Sequence, residues 1–250
     1  DEGRLACGYE GYGRLAQENV ILNAILDNLR FKEDLKGKKV LVTAGGTREY
    51  IDSVRFISNR SSGKMGLELA KEAYFRGATD VILISSDKNL QRPYGVKFIS
   101  AESTQDFKEA LFKNYNSADI IIMSAAISDI VPEKRYSYKL KKNDDIISKI
   151  KFKENENLLS LLSAKKTQKQ FLAGFSAESS ENIKNTIAKM EGKKIDMMIL
   201  NDISRNDIGF ESDYNEVDII LSACDIIKTG KEKKRIIARK IWNEIIKRLN

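Results

Sequence analysis

Histidine is absent from the 250 residues, and cysteine occurs only twice. The lack of imidazole excludes Ser-His-Asp and Cys-His catalysis as well as histidine-ligated zinc. The two cysteines, Cys7 and Cys224, are too few for a disulfide framework or a four-cysteine metal site. Any catalysis therefore depends on Lys, Arg, Asp, Asn, backbone dipoles or a bound metal.

Long apolar runs are missing as well. No stretch approaches the roughly 18 to 20 uninterrupted apolar residues of a membrane span. The opening DEGRLACGYEGYGRL lacks the basic-then-apolar layout of a signal peptide. With 42% hydrophobic and 32% charged residues, the composition is typical of a soluble globular protein of one or two domains. We expect a cytoplasmic protein without a membrane partner.

Positive charge is in modest excess, with 43 Lys and Arg against 36 Asp and Glu. The densest basic run, at 231–235, is expected to lie in a solvated turn, because it lacks the aromatic context of a nucleic-acid surface. We therefore expect no nucleic-acid partner. Small anionic substrates remain compatible with the charge.

Short apolar runs alternate with amphipathic segments, a pattern typical of parallel strands joined by crossover helices. Runs rich in Val, Ile and Phe predict buried strands at 40–44, 81–85, 96–100, 120–124, 171–175 and 197–200. The intervening segments predict helices at 63–76, 103–115 with Ser103 as N-cap, 157–166 and 179–190. The last part predicts a hairpin at 216–222 and 225–228, then a helix at 235–248.

This order of elements predicts an α/β fold that is doubly wound and Rossmann-like, with a mostly parallel sheet and a terminal antiparallel hairpin. The predicted domain covers 36–250. A linker at 17–35 contains a helix at 17–31, and the Gly- and Tyr-rich stretch 1–16 is assigned to a separate unit. Polar segments at 48–62 and 130–153 follow strands, where ligands of such sheets bind.

The sequence TAGGTRE, at 43–49, follows the first strand directly. Its glycines allow a ligand to approach the backbone, although G-x-G-x-x-G is absent and a tight turn explains the motif equally well. The next motif, FISNRSSGKMG, supplies candidate phosphate ligands at a helix start, namely Asn59, Arg60, Ser61, Ser62 and Gly63. The alternative is a helix capped by Ser61 or Ser62.

Two further motifs follow the fourth strand, MSAAISD at 123–129 and KLKK at 139–142. Small residues such as Ala125 and Ala126 permit a base or a sugar to pack on the backbone. Asp129 is a candidate for a ribose hydroxyl or a magnesium ion, and Lys139 for a phosphate. A solvated charge run is the alternative for the lysines.

GFSAE follows the fifth strand and contains Phe175, and Lys189 and Lys193 lie four residues apart in or just after the next helix. This spacing puts both ammonium groups on one side of a helix. Together the three residues would seat a nucleobase and its phosphates. A core phenylalanine beside an exposed basic face explains them equally well.

Tyr138 and Lys142 form Y-x-x-x-K, the acid-base pair of short-chain dehydrogenases, with Ser124 or Ser128 upstream. This spacing supports a rival prediction, an NADP-dependent reductase. The glycine-rich turn of that family runs straight into a helix, whereas 48–62 intervenes here. The second rival is a nucleotide-binding module without catalytic activity.

Together the motifs resemble the phosphopantothenate-cysteine ligase family, the ligase half of bifunctional coenzyme A biosynthesis proteins. The resemblance rests on TAGGTRE, VRFISNRSSGKMG, MSAAISD with KLKK, GFSAE, and LNDIS followed by GFESDYNEV, over about 38–220. The opening LACGYEGYGRL resembles the end of the flavin-dependent decarboxylase domain that precedes the ligase. Cys7 would be the proton donor of that domain, active only in an intact domain with FMN. The resemblance thus implies that the decarboxylase domain is truncated in this chain.

The resemblance implies an amide ligation. CTP activates the carboxylate of 4′-phosphopantothenate as an acyl-cytidylate with release of pyrophosphate, and the amine of L-cysteine then displaces CMP. Phosphopantothenate would be bound by Asn59, Arg60, Ser61, Ser62 and Gly63. CTP would be bound by Ala125, Ala126, Asp129, Lys139, Phe175, Lys189 and Lys193. The implied catalytic residues are Asn59, which holds the acyl carbonyl, and Lys139 on a mobile flap, with magnesium bridging the triphosphate.

The family also implies a homodimer, and it implies CTP rather than ATP because the prokaryotic fusions use CTP. Two departures from its pattern stand out. Gly46 replaces the proline of the usual G-P-T, which removes no functional group. The N-P-D pattern often found after the lysines is also absent near Asn157.

Overall fold

The computed structural model describes residues 2–4, 7–13, 15, 21, 25, 32–90, 93–141, 148, 150–178, 183–202, 207–209 and 211–249. The strands are β1 (Glu2–Arg4), β2 (Glu10–Tyr12), β3 (Lys39–Ala44), β4 (Arg48–Tyr50), β5 (Phe56–Ser58), β6 (Asp80–Ser85), β7 (Lys97–Ser100), β8 (Ile120–Met123), β9 (Ile130–Pro132), β10 (Phe152–Glu154), β11 (Phe171–Glu178), β12 (Met197–Asp202), β13 (Tyr214–Asn215), β14 (Val217–Ser222), β15 (Asp225–Lys228) and β16 (Glu232–Lys233). The helices are α1 (Lys64–Phe75), α2 (Thr104–Asn114), α3 (Leu158–Lys165), α4 (Ile183–Glu191) and α5 (Lys234–Leu249).

The central sheet has the strand order β15-β14-β12-β11-β8-β3-β6-β7. The strands from β7 to β12 in this order are parallel, and β14 and β15 add an antiparallel hairpin at the β12 edge. Counted along the chain, the parallel strands follow the doubly wound order 3-2-1-4-5-6. The predicted fold is confirmed, and the strand order reverses between β3 and β8.

Helices cover both faces of the sheet, so alternate residues of a strand enter different cores. Val42 packs with Leu69 of α1 and Trp242 of α5 on one face. Leu41, its neighbour in β3, packs with Phe107 of α2 on the other face, where α3 and α4 also lie. This burial on both faces explains why the strands appear in the sequence as continuous apolar runs.

The helix starts differ in how they are capped. Ser103 caps α2 through its side chain and forms a capping box with Asp106, as predicted. The N-cap of α1 is Gly63, with φ 73° and no side-chain cap, so the alternative of a serine cap is wrong. The amides at the start of α1 are therefore not satisfied by a capping side chain.

The polar segments 48–62 and 130–153 contain antiparallel pairs that the sequence did not predict, β4 with β5 and β9 with β10. The backbone N–H of Tyr136 donates to the carbonyl of Ile51 at 2.9 Å and joins the two segments. Strands of three residues are too short to produce a recognisable alternation. The basic run 231–235, predicted as a turn, instead forms β16 and the start of α5.

The first part of the chain is described only in pieces. Strands β1 and β2 form an antiparallel hairpin within 1–16. The helix predicted at 17–31 lies outside the described residues except at Ile21 and Ile25. In the described ranges, no helix is both long enough and apolar enough to cross a membrane.

Candidate active site

A cleft of about 810 Å³ opens at the carboxyl ends of β8, β11 and β12. It lies beside the reversal of strand order, where ligands of doubly wound sheets bind. Its lining comprises 59–66, 123–127, Asp129, 156–159, 175–178, Lys189, Lys193, Ile195, Met198, Asn201, Ile208, Gly209, Glu211, Ser212, Asn215 and Lys234.

The loop after β8 is held against the end of β3 by a short series of hydrogen bonds. Ser124 Oγ donates to the Thr43 carbonyl at 2.7 Å, and the N–H of Ala125 donates to Thr43 Oγ1 at 3.0 Å. The N–H of Ala126 donates to the Gly45 carbonyl at 2.8 Å. TAGGTRE is therefore buried behind MSAAISD, and 123–127 with Asp129 form one wall of the cleft, where the small side chains of Ala125 and Ala126 leave room for a flat ligand.

Asn59 crosses from the loop before α1 to this wall. Its Nδ2 donates to the carbonyls of Ala126 at 3.3 Å and Ile127 at 3.2 Å. The close approach requires glycine at position 46, because a Cβ there would lie 2.3 Å from the Asn59 carbonyl oxygen. Gly46 therefore shapes the path of the backbone at Asn59.

The start of α1 forms the next part of the cleft, through Ser61, Ser62 and Gly63. Gly63 has φ 73°, a value that favours glycine, and it carries no capping side chain. The helix dipole and the first-turn amides make this end suitable for an anion. The prediction of a phosphate position at this helix start stays compatible with the geometry.

Acidic side chains from the loop before β13 pair with the cations beside α1. Lys64 Nζ contacts Asp213 Oδ1 at 2.6 Å, and Arg60 Nη2 contacts Glu211 Oε2 at 3.4 Å. The hydrogen bond and the positive charge of Lys64 lower the pKa of the Asp213 carboxyl. Exposed ion pairs of this kind contribute little to stability, so an anionic ligand can replace the carboxylates at small cost.

The opposite side of the cleft combines an aromatic ring with two lysines. Phe175 is half-buried in the second half of β11, and Lys189 and Lys193 lie near the end of α4. Lys189 Nζ contacts Glu178 Oε1 at 3.1 Å, and Lys193 Nζ donates to Ser160 Oγ at 2.6 Å. This side can hold a ring and phosphate charge together.

Asp129 lies exposed at the edge of the cleft. The described residues contain no group of three or more Cys, Asp or Glu that could hold a metal ion by themselves. Magnesium, however, is often held by one or two carboxylates together with substrate phosphates and water. A single carboxylate at the mouth of the cleft fits an ion that arrives with a triphosphate.

The far corner of the cleft contains residues that the sequence reasoning missed: Asn201, Ile208, Gly209, Asn215 and Lys234. Lys234 is only 4% exposed, and its Nζ donates to the Gly209 carbonyl at 2.7 Å. Burial, followed by the charge of Lys64, lowers the pKa of Lys234 to about 8, while Asp213 raises it. We call this set the Lys234 corner. Asn201, Gly209 and Asn215 fall within the motifs LNDIS and GFESDYNEV, for which no ligand contact was predicted, and Ile208 and Lys234 lie outside every motif.

A sequence-family model described as the DNA/pantothenate metabolism flavoprotein C-terminal domain matches residues 35–249. The chain belongs to this family. The match takes in every strand of the central sheet and all the residues that line the cleft.

Curated relatives of this flavoprotein C-terminal domain are coenzyme A biosynthesis bifunctional proteins named CoaBC. The protein from Bacillus subtilis (strain 168) is 41% identical over 224 residues, which cover 87% of this chain and 54% of the relative. The protein from Haemophilus influenzae (strain ATCC 51907 / DSM 11121 / KW20 / Rd) is 36% identical over 253 residues, covering 99% and 61%. The chain thus spans about half the length of the curated relatives it matches.

Solved structures confirm the architecture of the flavoprotein C-terminal domain. The crystal structure of a CoaBC C-terminal domain aligns with TM-score 0.71 and 33% identity, covering 86% of this chain and 98% of that one. A Cab2 H337A mutant in complex with phosphopantothenate-cysteine aligns with TM-score 0.65, covering 92% and 94%. Its 13% identity makes that likeness one of fold alone.

The cleft brings together most of the predicted residues of this family member. Those that line it are Asn59, Arg60, Ser61, Ser62, Gly63, Ala125, Ala126, Asp129, Phe175, Lys189 and Lys193. They come from motifs more than a hundred residues apart. Their assignments to phosphopantothenate or CTP remain predictions, since geometry alone does not distinguish the ligands.

Lys139 is not among the residues that line the cleft. Its neighbour Leu140 is fully buried, and the Leu140 N–H donates to Asp52 Oδ2 at 3.2 Å. Arg55 Nη2 donates back to the Leu140 carbonyl at 3.0 Å. These contacts fix the backbone next to Lys139 against the turn between β4 and β5. Its predicted contact with the triphosphate therefore requires the segment to move.

The remaining predicted residues lie elsewhere. Tyr138 is 53% exposed and does not line the cleft, while its predicted partner Lys142 lies outside the described residues. Cys7 is exposed in the turn between β1 and β2. Tyr138 and Cys7 therefore do not contribute to the wall of the cleft.

Proposed function

We propose that this flavoprotein C-terminal domain is an enzyme of coenzyme A biosynthesis that joins 4′-phosphopantothenate to L-cysteine at the expense of CTP. The observation that carries the proposal is the pair of anion-binding walls in one cleft. The start of α1 lies on one face of the sheet, whereas Lys189 in α4 and Lys193 just after it lie on the other face. Relatives at 36% and 41% identity, named for coenzyme A biosynthesis, support the pathway.

The first step brings two anions together. A carboxylate oxygen of phosphopantothenate attacks the α-phosphorus of CTP, and pyrophosphate leaves. The helix start and the lysines offset the repulsion between carboxylate and triphosphate, so the reactants are held in contact. Asp129 is the residue that would hold a magnesium ion arriving with the triphosphate, and such an ion would neutralise part of the phosphate charge.

The second step is aminolysis. The amine of cysteine attacks the acyl carbon, the bond from that carbon to the phosphate oxygen breaks, CMP leaves and the amine proton passes to water. Asn59 is proposed to donate its Nδ2 to the acyl carbonyl. Its present bonds to Ala126 and Ile127, at 3.3 and 3.2 Å, lie at the long end of the normal range and can be shared or exchanged.

A single assay tests the proposal. Pyrophosphate and CMP are measured with CTP or ATP, with phosphopantothenate, and with or without cysteine. We expect pyrophosphate only when phosphopantothenate is present, CMP release that depends on cysteine, and faster turnover with CTP than with ATP. Nucleotide binding without pyrophosphate release would instead indicate a non-catalytic module. NADPH-dependent turnover abolished by Tyr138→Phe would indicate the reductase.

The proposal includes assembly as a homodimer. The two hairpins β4–β5 and β9–β10 carry exposed apolar side chains, namely Val54, Phe56, Ile130 and Phe152, and Tyr138 lies beside them. An exposed apolar surface on a small number of neighbouring elements is typical of a protein contact. A second copy of the chain is the partner we propose for this surface, and the cytoplasm is the compartment we propose. FMN is proposed only for a decarboxylase domain, to which 1–16 would belong.

A further inference from the structure

The Lys234 corner has chemistry that the assigned ligands do not use. Lys234 is the first residue of α5, and its buried ammonium lies in the wall of the cleft. Burying a cation is costly, and such a group is commonly kept where it meets a ligand of opposite charge. The corner also contains Asn201 and Asn215, which are 7% and 3% exposed.

Two helices begin at this corner. Asp213 joins their first residues, because its carbonyl accepts from the backbone N–H of Lys234 at 2.9 Å and its Oδ1 contacts Lys64 Nζ at 2.6 Å. The two helices also pack together, since Trp242 Nε1 of α5 donates to the Leu69 carbonyl of α1 at 2.9 Å. The positive ends of α1 and α5, at Lys64 and Lys234, therefore lie near one another and both border the cleft. The corner consequently favours a group with negative charge.

Asn201 adds a requirement of the opposite kind. Its Oδ1 is buried and has no hydrogen-bond partner, although Asn201 lines the cleft. A buried carbonyl oxygen without a donor is costly, so a ligand that enters the corner is expected to supply an N–H. A phosphate or a fully ionised triphosphate offers only acceptors and leaves this oxygen unsatisfied.

An α-amino acid satisfies both requirements, because its carboxylate and its amino group are separated by a single carbon. We propose that the Lys234 corner is the amino-acid subsite of the cleft, where Lys234 holds the α-carboxylate and Asn201 Oδ1 accepts a hydrogen bond from the α-amino group. This inference rests on the proposed ligation, and it adds to that proposal the place from which the amine of cysteine attacks.

The first test is Lys234→Met, which removes the charge but retains an unbranched side chain. We expect the KM for L-cysteine to rise at least about tenfold, equivalent to about 1.4 kcal/mol. Pyrophosphate release from CTP and phosphopantothenate without cysteine should stay within about twofold. Lys233→Met, at an exposed neighbouring lysine, is the matched control and should change neither quantity.

The second test removes the carboxylate from the substrate instead. Cysteamine carries the same amine and thiol as cysteine but no carboxylate. We expect the unsubstituted protein to prefer cysteine by about tenfold or more in kcat/KM, and Lys234→Met to bring that ratio close to one. Asn201→Leu should lower kcat/KM for cysteine and for cysteamine by the same factor and so leave their ratio unchanged, since both compounds carry the amine.

The possible results separate the two proposals. A protein that releases no pyrophosphate from CTP and phosphopantothenate refutes the ligase, and the subsite with it. A functioning ligase in which Lys234→Met raises the KM for phosphopantothenate or CTP, or leaves the preference for cysteine over cysteamine intact, overturns the subsite alone. The subsite is also refuted if Asn201→Leu leaves kcat/KM unchanged for both cysteine and cysteamine.

Discussion

At the scale of single residues, Lys234 couples the ligand cleft to stability. Burial and then the charge of Lys64 lower its pKa from the ordinary 10.5 to about 8, against the opposing effect of Asp213. Between these values the unfolded chain binds more protons at this position than the folded chain. The free energy of unfolding therefore rises with pH through this window, and the charged form reduces stability at neutral pH.

We predict that Lys234→Met removes this pH dependence. Urea unfolding at about pH 7 and about pH 9.5 measures the change in the free energy of unfolding between the two values. The increase should be smaller in the variant than in the unsubstituted protein, because methionine does not titrate. Lys233→Met should retain the full increase, and an unchanged increase in Lys234→Met would contradict the prediction.

Asn59 and Lys139 illustrate what residue-level reasoning can predict. The amide of Asn59 lies in the cleft as the motif predicted, because the strand, loop and helix around it are close in sequence. The position of Lys139 depends instead on its neighbour Leu140, which packs in the interior and bonds to Asp52, eighty-eight residues earlier. No pattern around KLKK indicates that contact.

At the scale of elements, the cleft depends on how closely α1 approaches the sheet. Gly66 lies in the first turn of α1, and a Cβ there would lie 2.6 Å from both Ala44 Cβ and Ser124 Oγ and 2.7 Å from the Thr43 carbonyl oxygen. These atoms belong to the end of β3 and to the loop after β8, which β3 supports from behind. The helix start can thus reach the ligand wall only because residue 66 lacks a side chain.

We predict that Gly66→Ala destabilises the protein by about 1 to 3 kcal/mol through overpacking, although alanine favours a helix by about 1 kcal/mol. Urea unfolding measures the loss. Gly192→Ala is the control, since its Cβ would meet only the Ala188 carbonyl oxygen, at 3.2 Å, and its effect should be smaller. A stabilised Gly66→Ala variant would show that the close approach is not required.

The segment that carries Lys139 is the second element-scale prediction. If it moves to close over the cleft, Lys139→Ala should lower kcat at least about tenfold while changing the free energy of unfolding by less than about 0.5 kcal/mol, because the side chain is exposed. Lys141→Ala, also exposed, serves as the matched control. If Lys139→Ala lowered both kcat and the free energy of unfolding substantially, Lys139 would have a structural role instead.

At the scale of the whole molecule, the two hairpins outside the sheet carry the exposed apolar surface. We predict that the protein elutes as a dimer, with a mass by light scattering twice the 28.3 kDa of the chain. Replacing both Phe56 and Phe152 by Ser should give monomers, since burial of these side chains drives the association. Tyr94→Ser, at an exposed aromatic outside the hairpins, should leave the dimer intact, and a monomeric unsubstituted protein would refute the proposal.

The sequence by itself determined the order of the main elements and the edge of the sheet that binds ligands. Runs such as 120–123 are continuously apolar because their strands are buried on both faces, and polar loops follow where strands end. The three-residue strands of the outer hairpins were not predicted, since so few residues establish no period.

Only the tertiary structure decided which distant residues share the cleft. Lys234 and Asn201 each lie one residue outside the predicted helix and the predicted strand, and although Asn201 belongs to the motif LNDIS, nothing in the sequence places the two residues together. They border one cleft because α5 begins beside the start of α1, with Trp242 packed into the core beside Leu69. Local sequence reports burial and turns, whereas the junction of separate elements depends on how the whole chain packs.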